Sequence, residues 1–524
     1  MQSKLQLQVS PQIASNENLL KEEVKRHLPL TNNSALHIKV LKRSIDARGR
    51  TIKINLTVLA YINETPERES IEFGYKDVAT SKNTCHIIGA GPAGLFAGLR
   101  CLERGIKPII IERGKDVKAR RRDLAAINKE HLVNPESNYC FGEGGAGTYS
   151  DGKLYTRSNK RGSIDKVLKT LVYHGANEEI LVDAHPHIGT NKLPGLIQNI
   201  RETILKFGGE VWFGSKLVDL KLDEKKIHLI KIVNDKGEQD IPVQKVILAT
   251  GHSARDIYEL LHKKNILIEA KPFALGVRAE HPQELIDKVQ YHCRSTEEVL
   301  AARTYLPAAS YSLVHQLKGR GVYSFCMCPG GIIAPCATNQ EEVVTNGWSP
   351  SKRNNPYANS GIVVGLELHD FTPFKEFGPL AGLEFQKQFE YAAWLYGGKT
   401  QAAPAQRLQD FTNGKTSSSL PGCSYQPGIT SVEMQKVLGP LIGPALKEGF
   451  KAFGGKMRGY LTNEAVIVGV ESRTSTPVRI PRDREFLYHP ELKNLVPCGE
   501  GAGYAGGIVS AAMDGERCAD SLNY

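Results

Sequence analysis

The feature that most constrains the fold is a glycine-patterned segment early in the chain. A short buried strand is predicted in CHIIGA, and its end overlaps the pattern G-x-G-x-x-G formed by Gly89, Gly91 and Gly94. Helical spacing follows in LFAGLRCLERG, and a second buried strand, KPIIIE, ends on Glu112. A strand, a tight turn, a helix and a strand in this order predict a βαβ unit of an α/β fold with a parallel sheet.

This βαβ unit has the residues of a dinucleotide-binding site. The first glycine permits the tight turn, the second lets amides approach a pyrophosphate at the helix N-terminus, and the third lets the helix pack closely on the strand. Glu112 lies eighteen residues beyond Gly94, where a carboxylate accepts hydrogen bonds from a ribose diol. The alternative is a tight turn without a ligand, but the strands, the helix and the acid together favour dinucleotide binding. The turn residues expected at the ligand are Gly89, Gly91, Pro92, Ala93 and Gly94.

Composition narrows the class of protein and its partners. The 524 residues are 41% hydrophobic with a net charge of +11, and basic and acidic residues are interspersed, so nucleic-acid binding is not expected. The ten cysteines are too sparse for a disulfide framework and no secretory signal opens the sequence, so we expect a reduced, cytoplasmic protein. No apolar run is long enough to span a bilayer. We therefore expect a small-molecule substrate and no membrane partner, and leave an oligomer open.

Changes of pattern divide the chain into predicted domains. Residues 1–80 show a β-α-β-β pattern, which indicates a small N-terminal α+β domain followed by a polar linker. Residues 81–260 are predicted to form the first part of a Rossmann-like dinucleotide-binding domain, and residues 470–524 its C-terminal part. Between them, residues 261–469 contain no second dinucleotide fingerprint and are predicted to form an inserted α+β substrate or cap domain.

Three later segments bear on which dinucleotide is bound. A helix leading into a strand is predicted in KLPGLIQNIRETILKFGGEVWFGSKLVDLKL, and a β-meander and the strand QKVILATG follow it. Near the C-terminus, a strand, a glycine-rich turn and a helix are predicted in LVPCGEGAGYAGGIVSAAMDGERCA. This combination resembles the flavoprotein fold of the glutathione-reductase class, in which FAD lies extended across a three-layer domain assembled from both ends of the chain.

The resemblance implies roles for residues around the adenosine half of FAD. The three fingerprint glycines would cradle the pyrophosphate, and Glu112 would hold the adenosine ribose. Arg113 and Arg120 belong to a pattern E-R-G-x-x-V-x-x-R, in which related flavoproteins place an arginine near the cofactor phosphates. Leu217 occupies the position whose backbone usually meets adenine.

The resemblance also implies a flavin-binding role for the C-terminal motif. Thr250 and Gly251 end the strand that closes over the dinucleotide. Where the family more often has Gly-Asp, this chain has Gly499 and Glu500, and the longer acid would reach a ribityl hydroxyl or a phosphate-bound water. The following helix would point its positive N-terminal end at the flavin and favour negative charge on the reduced ring. The amide donors there would be Gly506, Gly507 and Ile508.

More narrowly, the chain resembles a family of bacterial FAD-dependent dehydrogenases of unassigned substrate. The phrases that carry this resemblance are KRSIDAR, CFGEGGAGTYSDGKL, YSFCMCPGGIIAPCAT, NPYANSGIVVGL, GVESRTSTPVRI and GEGAGYAGGI. They imply an FAD-dependent oxidoreductase that passes a hydride through flavin N5, with NAD(P)H as a candidate transient reductant. A flavin-dependent RNA-modifying enzyme and a flavin-binding scaffold or sensor without turnover are the alternatives.

Two further segments are candidate parts of the site. The glycine loop, CFGEGGAGTYSDGKLYTR at residues 140–157, includes Gly145 and Gly147, and in this resemblance it would run beside the isoalloxazine; a surface loop is the alternative. Arg473 and Arg479 are candidate contacts of an anionic substrate, because arginine is a forked donor for carboxylate or phosphate. An Arg–Glu network that braces the domain junction is an equally good interpretation of these arginines.

No metal site is predicted, and the catalytic base is left open. Cys326, Cys328 and Cys336 fit neither zinc-ribbon nor iron–sulfur spacings, so inert buried thiols are expected in preference to a redox or ligating role. His185 and His187 form an H-x-H pair without a third ligand at suitable spacing, and are expected at a strand end or in a loop.

Overall fold

The N-terminal part of the chain forms a small antiparallel sheet. We describe a computed structural model, which covers residues 1–29, 34–67, 70–156 and 162–524. The first elements are β1 (Gln2–Val9), α1 (Pro11–Ala14), α2 (Glu17–Lys25), β2 (Leu36–Asp46) and β3 (Lys53–Ile62). The strands lie in the order β1–β3–β2, and Leu20 and Val24 of α2 pack into the same core as Val58 and Ala60 of β3. The predicted β-α-β-β pattern is present, with α1 as an additional short helix.

The next part of the chain builds a parallel sheet with helices on one face and a β-meander on the other. Its elements are β4 (Thr84–Ile88), α3 (Pro92–Arg104), β5 (Lys107–Ile111), α4 (Val117–Glu130), α5 (Ile164–Tyr173), α6 (Leu193–Lys206), β6 (Glu210–Trp212), β7 (Lys216–Asp223), β8 (Lys226–Asn234), β9 (Gly237–Pro242), β10 (Lys245–Leu248) and α7 (Arg255–Lys263). Strands β10, β4, β5 and β6 pair in parallel, and β7, β8 and β9 form the antiparallel meander. Residues 68 and 69 of the predicted linker and residue 157 of the glycine loop lie outside the described residues.

Both faces of the parallel sheet are buried, which explains its uninterrupted apolar strands. On one face, Ile87 and Ile110 pack with Leu95 of α3 and Ile200 of α6. On the other face, Ile111 and the other outward residues of the sheet pack against the meander. The parallel sheet therefore lies between a helical layer and a β layer, and the α/β class predicted from the sequence is confirmed.

A second, larger sheet follows, which we call the cap sheet. This part contains β11 (Glu269–Ala270), β12 (Phe273–Pro282), α8 (Gln283–Gln290), α9 (Thr296–Arg303), β13 (Val314–Leu317), β14 (Arg320–Cys328), β15 (Ile332–Pro335), β16 (Thr345–Trp348), β17 (Tyr357–Leu366), α10 (Ala381–Tyr396), β18 (Ala403–Arg407), α11 (Leu408–Asn413), β19 (Ile429–Ser431), α12 (Met434–Lys456) and β20 (Val466–Glu471). The cap sheet has the strand order β13–β14–β17–β12–β20–β18–β19. Leu446, Phe450 and Phe453 of α12 are fully buried in its core.

The C-terminal segment returns to the parallel sheet. It contains β21 (Val478–Arg479), β22 (Leu495–Pro497) and α13 (Ile508–Asp520). Strand β22 pairs in parallel with β10, so the complete sheet has the order β22–β10–β4–β5–β6 and contains residues from both ends of the chain. Helix α13 crosses α3 closely, because a Cβ on Gly515 would lie 2.1 Å from the Ala93 carbonyl oxygen. No helix among the described residues has both the length and the apolar character that a membrane span requires.

Candidate functional site

A cavity of about 410 Å³ lies between the parallel sheet and the cap sheet. Its wall combines the start of α3, the end of β5, the glycine loop, the end of β10 and the start of α13 with Phe325, Cys326 and Asn346 from the cap side. Of the twenty residues predicted to contact cofactor or substrate, sixteen line it: Gly89, Gly91, Pro92, Ala93, Glu112, Arg113, Gly145, Gly147, Leu217, Thr250, Gly251, Arg473, Glu500, Gly506, Gly507 and Ile508. The other four, which do not line it, are Gly94, Arg120, Arg479 and Gly499.

Glycine is required for a different structural reason at each of the three fingerprint positions. Gly89 has a φ of +105°, and a Cβ there would lie 2.4 Å from the Ala249 carbonyl oxygen. Both the backbone conformation and the lack of space therefore require glycine at this position. A Cβ on Gly94 would lie 1.9 Å from the Gly89 carbonyl oxygen, so this glycine lets α3 pack on the turn. Gly91 is the N-cap of α3, and a Cβ there would meet nothing within 4 Å. Gly91 thus keeps the N-terminus of α3 open toward the cavity.

Glu112 joins three segments of the cavity wall. Its Oε2 accepts the amide of Ala90 at 2.8 Å, and its Oε1 accepts the amides of Gly114 and Gly142 at 2.9 Å each. The side chain is buried but lines the cavity. Each carboxylate oxygen offers about two acceptor positions, so Oε2 retains one for a ligand hydroxyl. Glu112 therefore orders the turn and the glycine loop as well as facing the ligand position.

Arg120 supports the glycine loop from behind, which corrects the prediction that it lies near cofactor phosphates. Its guanidinium is fully buried and donates to the carbonyl oxygens of Asn138, Glu143 and Gly145 at 2.7, 3.0 and 2.9 Å. All three nitrogens are used in these hydrogen bonds, and the side chain does not line the cavity. Of the two arginines in this sequence pattern, Arg113 is the one that lines the cavity, and its guanidinium lies 4.2 Å above the Phe141 ring and pairs with Glu136 and Asp256.

The start of α13 forms a second helix N-terminus at the cavity. Gly507 is the N-cap with a φ of +103°, and the amide of Gly506 donates to Ser510 Oγ at 3.1 Å. The first amides of a helix have no intrahelical acceptor, so those at Ile508 and beyond carry partial positive charge toward the cavity. Gly499 does not line the cavity, and its amide donates to Asp514 Oδ2 at 2.8 Å.

Glu500 and His252 are neighbouring titratable residues of the cavity wall, and both have shifted pKa values. His252 Nε2 lies 4.0 Å from Glu500 Oε1. Burial raises the pKa of Glu500 to about 7, although the charge of Lys271 lowers it. Burial and the charges of Arg473 and Arg255 lower the pKa of His252 to about 4. His252 is a site residue that was not predicted from the sequence, and its one local signal is its place directly after Thr250 and Gly251.

Arg473 belongs to a buried network of two arginines and two glutamates. Its Nη2 lies 2.7 Å from Glu342 and 3.0 Å from Glu390, and its Nη1 donates to Thr338 Oγ1 at 2.9 Å. Arg255 pairs with the same two glutamates at 3.0 and 2.7 Å. The charges of this network balance, which agrees with the bracing interpretation and removes support for an anionic substrate at Arg473.

Arg479 is the exposed residue of the two-residue strand β21 and does not line the cavity. Its guanidinium carbon lies 5.7 Å from the centre of the Tyr504 ring. The prediction that it contacts substrate is therefore corrected: the side chain is exposed to solvent and does not line the cavity.

Lys153 of the glycine loop connects the loop to the cap sheet. Its Nζ lies 3.7 Å from Cys326 Sγ and 3.8 Å from Cys328 Sγ, and it donates to the carbonyl oxygen of Met327. Cys336 lies elsewhere, buried beside Cys140, whose thiol donates to its carbonyl oxygen at 3.6 Å. The three cysteines grouped by the sequence are thus split: Cys326 lines the cavity with Cys328 buried beside it, and Cys336 is buried elsewhere.

The two histidines of the H-x-H pair have separate partners. The ring of His185 lies 4.7 Å from that of Tyr155, whereas His187 Nε2 lies 3.1 Å from the carbonyl oxygen of Ser351. Among the described residues, metal-type ligands come together at Cys498, Asp514 and Cys518. The Arg482 guanidinium fills the cation position there, since it pairs with Asp514 at 2.6 Å.

The comparisons with known proteins agree with this geometry. A family model described as "FAD-dependent protein, C-terminal domain-like" matches residues 272–474, and a domain of unknown function matches residues 1–61. A protein of Clostridium beijerinckii described as "uncharacterized" is 39% identical over an alignment of 527 positions, gaps included, and the alignment covers 96% of each chain. The chain belongs to the same family as this clostridial protein. The match to the FAD-dependent domain supports FAD as the cofactor of this chain.

Solved structures give only a distant likeness. The flavin-dependent brominase Bmp2 is 13% identical, with 83% of this chain and 77% of that chain covered and a TM-score of 0.35. A geranylgeranyl bacteriochlorophyll reductase-like protein of Thermoplasma acidophilum is 12% identical, with 84% and 77% covered and a TM-score of 0.32. At these scores the likeness supports no statement about the chemistry of this family member.

The residues present fit FAD. Two helix N-termini, those of α3 and α13, face one cavity, and such ends bind phosphate and other negative charge. The side of Gly91 where a Cβ would stand is open space. Glu112 offers an acceptor at the end of β5, and Leu217 contributes apolar surface for a flat base. Bound FAD would supply two-electron redox chemistry, and the protein would supply binding and orientation.

Proposed function

We propose that the protein is an FAD-dependent oxidoreductase in which a small-molecule substrate exchanges a hydride with flavin N5. One observation carries this proposal: a single cavity is lined both by the dinucleotide fingerprint and by residues of the cap sheet. The fingerprint side provides a place for the cofactor, and the cap side, with Phe325 and Asn346, provides a wall that a substrate would contact. A scaffold without turnover would not need the second wall.

The chain's own groups have distinct tasks in this proposal. Amides at the N-terminus of α3 bind the pyrophosphate, and Glu112 Oε2 accepts a ribose hydroxyl beside its bond to Ala90. Amides at the N-terminus of α13 stabilise negative charge on the reduced ring. Glu500 holds a proton at its carboxyl group near neutral pH, because its pKa is raised to about 7, so it can give or take a proton at the cavity.

The reductant and the substrate are the finer part of the proposal. We include NAD(P)H as a transient hydride donor, since transient docking at the cap side would not need a dinucleotide fingerprint of its own. The network that neutralises Arg473 gives no reason to require an anionic substrate. A neutral organic donor or acceptor fits the cavity wall, whose surface is more apolar than polar.

The cofactor proposal is tested by comparing FAD with FMN. The protein is stripped of flavin and titrated with each cofactor while its intrinsic fluorescence is recorded. We expect FAD to bind about a hundredfold tighter than FMN or more, because only FAD carries the adenosine half that would contact Glu112 and Leu217. Equal affinities would contradict the placement of the adenosine half, and no binding of either flavin would refute the proposal. A salt-dependent retention of RNA would favour the RNA-modifying alternative.

A further inference from the structure

The backbone of β14 has an unusual conformation at the cavity. Cys326 has a φ of +47°, and the pairing register with β17 shifts between Phe325 and Cys328. A left-handed backbone conformation is uncommon for a residue other than glycine, and it costs conformational free energy. The resulting bulge leaves Cys326 half-buried at the cavity wall, with Cys328 completely buried behind it.

The side chain of Lys153 contacts the sulfur atoms of both Cys326 and Cys328. Lys153 Nζ lies 3.7 and 3.8 Å from the two Sγ atoms and donates to the carbonyl oxygen of Met327. The Cys328 thiol in turn donates to the Cys326 carbonyl oxygen at 3.3 Å, and Arg278 donates to the same oxygen at 2.8 Å. Two cations therefore lie against one cysteine pair, the environment in which a thiolate is stabilised.

The two thiols differ in acidity. The hydrogen bond with Cys328, followed by the charges of Lys153 and Arg278, lowers the pKa of the Cys326 thiol despite its burial. The same hydrogen bond and burial raise the pKa of the Cys328 thiol. The two shifts have opposite directions, so Cys326 is the more acidic thiol and Cys328 retains its proton more strongly. Burial raises the pKa of Cys336, as expected for an inert thiol.

We propose that Cys326 and Cys328 are a redox-active dithiol that faces the cofactor cavity and exchanges two electrons with the flavin. Cys326 is the accessible member, and Cys328 is the resolving member. The inert role expected from the sequence then applies to Cys336 but not to the pair.

The chemistry of the exchange balances with the flavin as the only co-reactant. When the pair is a disulfide, its sulfur–sulfur bond breaks as it takes two electrons and one proton from the anionic reduced flavin. Cys326 becomes a thiolate beside Lys153, Cys328 becomes a thiol, and the flavin becomes oxidised. The negative charge moves from the flavin to the Cys326 sulfur, where Lys153 compensates it. This step rests on the proposed function, whereas the thiol chemistry of the pair does not.

A reductive titration of the FAD-loaded protein tests the exchange. The protein is first oxidised with diamide, freed of the reagent and titrated anaerobically with dithionite while the flavin absorbance is followed. We expect about two equivalents per chain for the wild type and about one for Cys326→Ala or Cys328→Ala, since flavin and disulfide each take two electrons. The matched control, Cys336→Ala, should still take about two. One equivalent in the wild type, with complete bleaching, would overturn the exchange.

Alkylation tests the dithiol without any flavin. The reduced protein is treated with iodoacetamide at a series of pH values, and each cysteine peptide is quantified by mass spectrometry. At pH 7 Cys326 should react about tenfold faster than Cys336 or more, and Lys153→Met should move its reaction to higher pH by about one unit. Diamide should link Cys326 to Cys328 with loss of two hydrogen atoms. A Cys326 that reacts no faster than Cys336 would refute the dithiol, even in a protein that binds FAD.

Discussion

The Oε1 atom of Glu112 accepts the amide of Gly142 at 2.9 Å and so connects the end of β5 to the glycine loop. The same carboxylate also accepts the amide of Ala90 in the fingerprint turn. A residue identified from the sequence as a ligand contact is therefore also a structural support of the cavity. Its structural role can be separated from its ligand-binding role, because the stability of the protein can be measured without the cofactor.

Replacing Glu112 with Gln tests its structural task. The amide side chain has one acceptor oxygen, so at least one of the three amides now bonded to the carboxylate is left buried without an acceptor. We expect the cofactor-free variant to be less stable by about 2 kcal/mol, measured as a lower midpoint of unfolding. The control is Glu130→Gln on the exposed end of α4, which should leave the midpoint unchanged. An unaffected Glu112→Gln midpoint would contradict the supporting role.

Gly91→Ala tests the open side of the fingerprint. Its backbone accepts alanine, since φ is −75°, and the added methyl group would meet no protein atom within 4 Å. The fold should therefore persist while FAD affinity falls about tenfold or more, which corresponds to about 1.4 kcal/mol. Gly195→Ala, also without a neighbour in α6, is the matched control and should bind FAD normally. Normal FAD binding by Gly91→Ala would place the pyrophosphate elsewhere.

Local sequence pattern was sufficient to predict the βαβ unit and the start of α13. A strand, a turn and a helix are specified by residues close together in the chain, as from Cys85 to Glu112. The contacts that sequence reasoning missed are distant: Arg473 pairs with Glu342 across 131 positions, and Lys153 reaches Cys326 across 173. No periodicity encodes such pairs, because they exist only once the two sheets have packed.

The same reason explains the correction at Arg120. The pattern around it is typical of an arginine near the cofactor, and its distance from Glu112 along the chain is short. Whether the guanidinium faces phosphate or the carbonyl oxygens of the glycine loop depends on how that loop folds back over α4. The loop's path is set by tertiary contacts, among them the bond from Gly142 to Glu112.

Arg473→Ala tests the buried charge network. The change leaves Glu342 and Glu390 with Arg255 as their one remaining arginine. Removal of one partner from a buried ion pair typically costs about 3–5 kcal/mol, so we expect a clear loss of thermal stability, measured by calorimetry. The control, Arg479→Ala on exposed β21, should change stability by about 0.5 kcal/mol or less. A stable Arg473→Ala that binds FAD but loses turnover would restore the substrate-contact interpretation.

The raised pKa of Glu500 predicts a pH dependence of stability. Burial raises this pKa from 4.5 in the unfolded chain to about 7, so the folded state binds the proton more tightly. The stability that this proton provides is complete below pH 4.5 and is lost as the pH rises to about 7. The groups that act on the carboxyl are Lys271, Cys326 and His252.

Glu500→Gln measures this contribution. The wild type without cofactor should lose thermal stability relative to Glu500→Gln as the pH rises from 4.5 to 7, because the amide does not titrate. Glu280, whose pKa is raised to about 7 mainly by burial, is unchanged in both proteins and cancels in the comparison. Parallel stability curves over this range would show that Glu500 titrates normally in the folded chain.

The central claim is that the cavity holds FAD and that the bound flavin accepts electrons. The most direct measurement is the visible absorption spectrum of the purified protein under anaerobic conditions, recorded before and after NADPH and then NADH are added. We predict the bands of oxidised flavin, in the protein as isolated or after reconstitution with FAD, and their rapid bleaching by a hydride donor. A colourless protein that cannot be reconstituted with FAD would contradict the account.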